Sequence, residues 1–425
     1  MAKAAAAKLI CSVLAGLTWF SVQGIESAPR LVAYRHLVID PDPGANGSDV
    51  LEKGLGDLNR DGRHDVVLGL GQVNGSPGGL YWYEAPGSGV PSDPWTRHTI
   101  VPSGHFYEDV AVADLDGDGA PDIVASVDDH LVWFENPLGH GGDPATDAWT
   151  RHMIRQDGGA HVIALADLDG DRKLDIACSS SSVLGSSGAI LFQDTPDSWT
   201  ERRVAQVGES IALLDIGSGK GRINIAGADG DSVVWYENPG ESGGDARSHE
   251  WARHLAATLP YAEKDAFASG VFTPGGRMDL IVASNEEMPE NPPGLYRIVA
   301  PEDRRRLWTV ETIDPSYQAV HRINVGDMNN DGLMDLVVAE QEQAHNSPPG
   351  FDQDFHRQRV AVFLNQGEGS FAEGVVATTG GQNQVIGDVT GDGYPDILSA
   401  NHGYYGAPNP LELWVSEPGG PAAQR

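Results

Sequence analysis

Cysteine, basic residues and long apolar stretches are scarce in this chain of 425 residues. The two cysteines are Cys11 and Cys178. Cys11 falls in a leader-like segment, so the mature chain has no partner for an intramolecular disulfide. Cys178 stands in the run DIACSS with no basic neighbour. That context fits a buried strand thiol better than a reactive thiolate. Lys and Arg number 28 against 61 Asp and Glu, a net charge of −33. Such a balance excludes nucleic acid as a partner, because phosphate binding needs a basic face. Sustained 3.6-residue apolar periodicity is also missing, which argues against a helical protein. The longest apolar run, Leu9 to Phe20, is too short to span a bilayer.

That run does fit an export signal over residues 1–24. Lys3 and Lys8 supply the basic start, and Val22 and Gly24 are small enough for the positions before cleavage, with Ala28 as the alternative site. A secreted or periplasmic location is expected, with no membrane span.

Glycine (53) and proline (27) are abundant among short Val, Ile, Leu and Ala runs, which predicts many short strands joined by turns. Five aspartate loops of the form D-x-D-x-D-G-x-x-D punctuate the chain: DLNRDGRHD from Asp57, DLDGDGAPD from Asp114, DLDGDRKLD from Asp167, DMNNDGLMD from Asp327 and DVTGDGYPD from Asp388. They hold 17 of the 61 acidic residues. Two further units, at Asp215 and Gly270, keep the flanking strands but lack the acidic pattern, and the seven starts lie 48 to 61 residues apart. Each unit reads as strand a (DVAVAD), loop, strand b (PDIVAS), strand c (LVWFENP) and strand d (WTRHTI).

Four antiparallel strands per unit, seven times over, predict an all-β seven-bladed propeller across residues 31–418, with a tail at 419–425. The chain opens on a lone strand d, Ala33 to Ile39, and closes on a strand c, Leu411 to Pro418. The N-terminal strand should therefore complete the last blade and leave no open edge.

Calcium takes six to eight hard oxygens at flexible distance. Carboxylates at loop positions 1, 3, 5 and 9 and a carbonyl at 7 would wrap one ion, with up to five structural sites. The expected ligands are Asp57, Asn59, Asp61 and Asp65; Asp114, Asp116, Asp118 and Asp122; Asp167, Asp169, Asp171 and Asp175; Asp327, Asn329, Asp331 and Asp335; and Asp388, Thr390, Asp392 and Asp396. Thr390 is the weakest of these. Blade 3 has Arg172 where the turn favours glycine.

These loops and strands resemble the FG-GAP/VCBS repeat family, which includes the integrin α-subunit propellers. More loosely, the W-x-R-H, D-x-D-G-D-G and W-F-E-N-P text is similar to the propeller part of aldos-2-ulose dehydratase-type proteins. That likeness implies dehydration of a ketosugar and maps no catalytic residue individually.

Function is expected where the repeats disagree. The residue six before each loop start reads Leu51, Glu108, His161, Glu209, Lys264, His321 and Gln382. This column falls at the channel mouth opposite the aspartate loops. Glu108, His161, Glu209 and His321 form a candidate set for one further divalent metal, of a kind suited to mixed carboxylate and imidazole ligands. By contrast His36, His98, His152 and His254 recur in strand d, as a structural hydrogen bond would. The b-to-c loops open on the same mouth, and that of blade 7 adds His402 and Tyr404.

Two functions follow. One is a sugar lyase or dehydratase working by β-elimination, with His161, His321 or Lys264 as base and His402 or Tyr404 as acid or substrate contact. The other is a non-catalytic lectin or adhesion propeller that binds carbohydrate or protein at that face.

Overall fold

The computed structural model describes residues 32–44, 52–72, 77–89, 91–180, 187–208, 210–217, 219–259, 266–283, 293–317, 320–340, 359–367, 369–400 and 409–418. Hydrogen bonding sorts their strands into seven four-stranded antiparallel sheets. Blade 2 is typical: strand a Phe106–Ala113, b Asp122–Val127, c His130–Glu135 and d Thr150–Arg155. Among the described residues the helical content is two single 3-10 turns, Pro137–His140 and Pro239–Ser242. No helix among the described residues is long and apolar enough to cross a membrane.

Burial explains the order of strands. Strand b is a short run of small and branched apolar residues, such as Asp335–Glu340, buried at every position. Strand d is charged and half exposed, as in Thr96–Val101, which blunts the rim against edge pairing. The core lies between blades. Leu58, Trp82 and Val67 of blade 1 pack with Phe106, Val110 and Phe134 of blade 2 in one buried cluster.

The seven strands a line the centre. They are Glu52–Gly56, Phe106–Ala113, Ala160–Ala166, Ile211–Leu214, Phe267–Val271, Val320–Gly326 and Gln382–Gly387. Each touches the strand a of the next blade, all the way round. The N-terminal strand Ala33–Asp40 pairs with Leu411–Glu417, from Ala33 opposite Glu417 to Asp40 opposite Leu411. It closes blade 7 as the sequence phase predicts.

The recurring histidines of strand d are structural too. His98, His152 and His254 stack on Trp82, Trp133 and Trp235 at 4.4, 4.2 and 4.3 Å. Each also bonds a strand c carboxylate, Glu84, Glu135 or Glu237, at 2.9 to 3.0 Å. His36 repeats this on Trp414 and Glu412. Cys178 is fully buried beside Arg155, and burial pushes its thiol above the ordinary value.

Candidate functional site: aspartate loops and a cross-channel cavity

The aspartate loops fold alike. The position 1 carboxylate caps its own loop: Asp114 accepts from the amides of Gly117 and Gly119 at 2.8 and 2.9 Å. Position 6 has a left-handed backbone, φ +88° at Gly62, Gly119 and Gly393 and +86° at Gly332. Arg172 adopts φ +72° in blade 3 and still donates its amide to Asp167 at 2.9 Å. The glycine is thus replaced without loss of the turn, although a side chain there is strained.

Position 9 has a role the sequence pattern did not reveal. Asp122 is fully buried and accepts two backbone amides, Leu115 at the end of strand a and Asn136 at the end of strand c, both at 2.9 Å. Asp65, Asp175, Asp335 and Asp396 do the same. These carboxylates are braces between strands as well as candidate ligands. Burial raises Asp65, Asp122 and Asp335 to about 7 and Asp175 and Asp396 to about 6.

Asn224 supplies the brace in blade 4, accepting the amide of Asn238 at 2.8 Å. In blade 5 it is Asp279, which accepts the amide of Ala300 at 2.8 Å and is clamped by Arg297. Blade 5 therefore kept one carboxylate of its loop. Gly270 pairs with Asp279 as Gly56 pairs with Asp65. The loop of blade 5 thus begins at Val271, one residue later than the sequence spacing gives. The position six before it is Asp265, so Lys264 leaves the column.

The loops fit a metal best in blade 2. Oxygens of Asp114, Asp116 and Asp122 lie within 4.8 Å of one another, about twice a calcium–oxygen bond. Oδ2 of Asp118 is buried and accepts no hydrogen bond. Asp116 is raised by burial and by its acidic neighbours. Asp167, Asp169 and Asp175 cluster in the same way in blade 3. Oγ1 of Thr390 in blade 7 is buried and unbonded, placed as a ligand would be. Acidic clusters that can bind metal ions, compatible with calcium, thus lie at the loops.

At the other end of strand a, His161 of blade 3 and His321 of blade 6 meet across the channel, ring centroids 5.7 Å apart. Both line a cavity of about 200 Å³. Nδ1 of His321 lies 2.7 Å from Oδ1 of Asn383 in blade 7. A second pair crosses the channel one residue further on: Arg322 of blade 6 bonds Asp109 of blade 2 at 2.7 Å. Asp109 also accepts the amide of Ile163 in blade 3 at 2.9 Å.

Bulges place these groups. Register shifts interrupt strand a between Phe106 and Val110, Ala160 and Ile163, Val320 and Ile323, and Gln382 and Val385. In blades 3, 6 and 7 two residues thereby oppose one: His161 and Val162, His321 and Arg322, Asn383 and Gln384. A bulge redirects side chains that plain alternation would send to opposite faces. Asp109, Arg322 and Asn383 therefore join the cavity wall, and Ser210, just before the unbulged strand a of blade 4, lines it too. These four residues stand five before their loop starts.

The structure brings together His161 and His321 from the expected ring. Glu209, Lys264, His402 and Tyr404 lie outside the described residues, as does the side chain of Glu108, whose backbone is in strand a. Among the described residues, the groups of three or more metal-ligating side chains all lie at the aspartate loops.

No curated protein matches the chain. The family profile for FG-GAP-like repeats matches residues 57–125, from the aspartate loop of blade 1 into strand b of blade 2. That match and the closed ring of seven blades together support the reading of the chain as an FG-GAP-type seven-bladed propeller.

Proposed function

We propose that this protein is an exported, calcium-braced propeller that acts on a carbohydrate at its central cavity, as a sugar lyase or dehydratase working by β-elimination. The observation that carries this reading is the approach of His161 and His321, from blades 3 and 6, to 5.7 Å across a cavity of about 200 Å³. Imidazoles exchange protons near neutral pH. One of the pair would take the proton from the carbon beside a carbonyl or carboxylate. As the C–O bond breaks and a C=C bond forms, the other would protonate the leaving oxygen. Arg322, Asn324 and Asn383 line the same wall and would stabilise the charge that develops on the carbonyl oxygen. The elimination needs no oxidant and no water.

Calcium at the aspartate loops would hold strand a to strand b by drawing their carboxylates onto one ion. Export rests on the leader-like segment around Lys3, Lys8 and Leu9 to Phe20. One observation favours the non-catalytic lectin or adhesion reading instead. Asp109 and Arg322 neutralise each other across the channel, as a plain structural plug would.

Purified protein incubated with ketosugars and uronate polysaccharides should release unsaturated products that absorb in the ultraviolet. His161→Ala and His321→Ala should abolish that signal while the melting temperature stays near wild type. Glycan binding with no product from any substrate would establish the lectin reading.

A further inference from the structure

We infer that the aspartate loop of blade 3 holds a guanidinium in place of a metal ion, and that Arg247, carried by blade 4, is its resident cation. The inference deepens the calcium reading and rests on it. The strand c to strand d connection of blade 4 overhangs the blade 3 loop. From it, Nε of Arg247 bonds Oδ2 of Asp169 at 2.5 Å, and Nη2 lies 3.7 Å from Asp171. Arg247 also bonds Asp194, and its guanidinium lies 5.1 Å from the centre of the Phe192 ring. Lys173 adds a second charge, 2.9 Å from Asp171. Asp169 is thus committed at position 3, a place where an ion would need a free carboxylate oxygen.

Blade 2 is the internal control. Its loop, DLDGDGAPD, has the same four aspartates and no basic residue, whereas DLDGDRKLD has two. Arg60 of blade 1 reaches the carbonyls of Asp118 and Gly119 and none of the carboxylates. The connection that overhangs blade 2 belongs to blade 3, a tight turn at Pro196 and Asp197 with no cation. The blade 2 counterpart of the segment bearing Arg247 has the same length, from Asn136 to Trp149 against Asn238 to Trp251, and both open on a 3-10 turn. In it Ala145 takes the place of Arg247. Two loops with the same acidic residues thus differ in the charge their neighbour supplies.

Calcium per chain after equilibrium dialysis, measured by elemental analysis, tests this. Asp116→Asn in blade 2 should lose one equivalent, which reports on the calcium reading by itself. Asp169→Asn should leave the wild-type content unchanged. Arg247→Gln should gain one equivalent, and adding Asp169→Asn to it should remove that gain. Loss of an equivalent from Asp169→Asn alone, or no gain in a folded Arg247→Gln, overturns the assignment. Should Arg247→Gln fail to fold, Asp169→Asn decides by itself.

Discussion

Asp109 and Arg322 meet at 2.7 Å from opposite sides of the ring, with side chains 6% and 19% exposed. Breaking one half leaves a nearly buried charge, at a cost of about 3 kcal/mol. Asp109→Asn should therefore lower unfolding free energy in urea by that order. Adding Arg322→Met should recover part of the loss, because neither charge then remains.

The histidine pair should behave differently. His161→Ala should cut turnover by about 10² to 10⁴, the range for loss of a proton-transfer group. Its melting temperature should shift little. Steady-state kinetics beside calorimetry separates this from a packing role, in which stability would fall and any activity would persist.

Asp122 gives the opposite pattern. It ties Leu115 and Asn136 through both oxygens. Removing the acceptor strands two buried amides, at about 2–4 kcal/mol together. Asp122→Ala should show that loss even in chelator. Asp122→Asn should cost less, because Asn224 supplies the same brace in blade 4.

The position 9 carboxylates set a pH dependence. Burial holds Asp65, Asp122 and Asp335 at about 7 in the fold, against an ordinary value of 3.8. Between those values the folded chain binds protons that the unfolded chain has released. Stability in chelator should therefore fall as pH rises from about 4 to 7. Calcium, which favours the ionised form, should flatten or reverse that slope. Melting curves across this range, with chelator and with calcium, check both signs.

The loops were legible because their information is local. Asp114, Asp116 and Asp118 alternate within one turn, and the strand texts fix the blade phase. Blade 5 misled by one residue because its loop lost the aspartate that marks the start, and Asp279 alone holds the register. The places of Asp109 and Arg322 are hidden in the sequence for a physical reason. Bulges break the two-residue alternation on which a strand is read. Arg247 was invisible as a partner of Asp169 because the contact joins two blades, 78 residues apart in sequence.

The pairing of Ala33–Asp40 with Leu411–Glu417 sets an order on assembly. Ala33–Asp40 cannot find its neighbour until Leu411–Glu417 has been made. Until then it is a charged, two-faced ribbon, and blade 7 has only the strands Gln382–Gly387 and Asp396–Ala400. Joining ends so distant in sequence is entropically slow, so this one seam should be the latest step of folding.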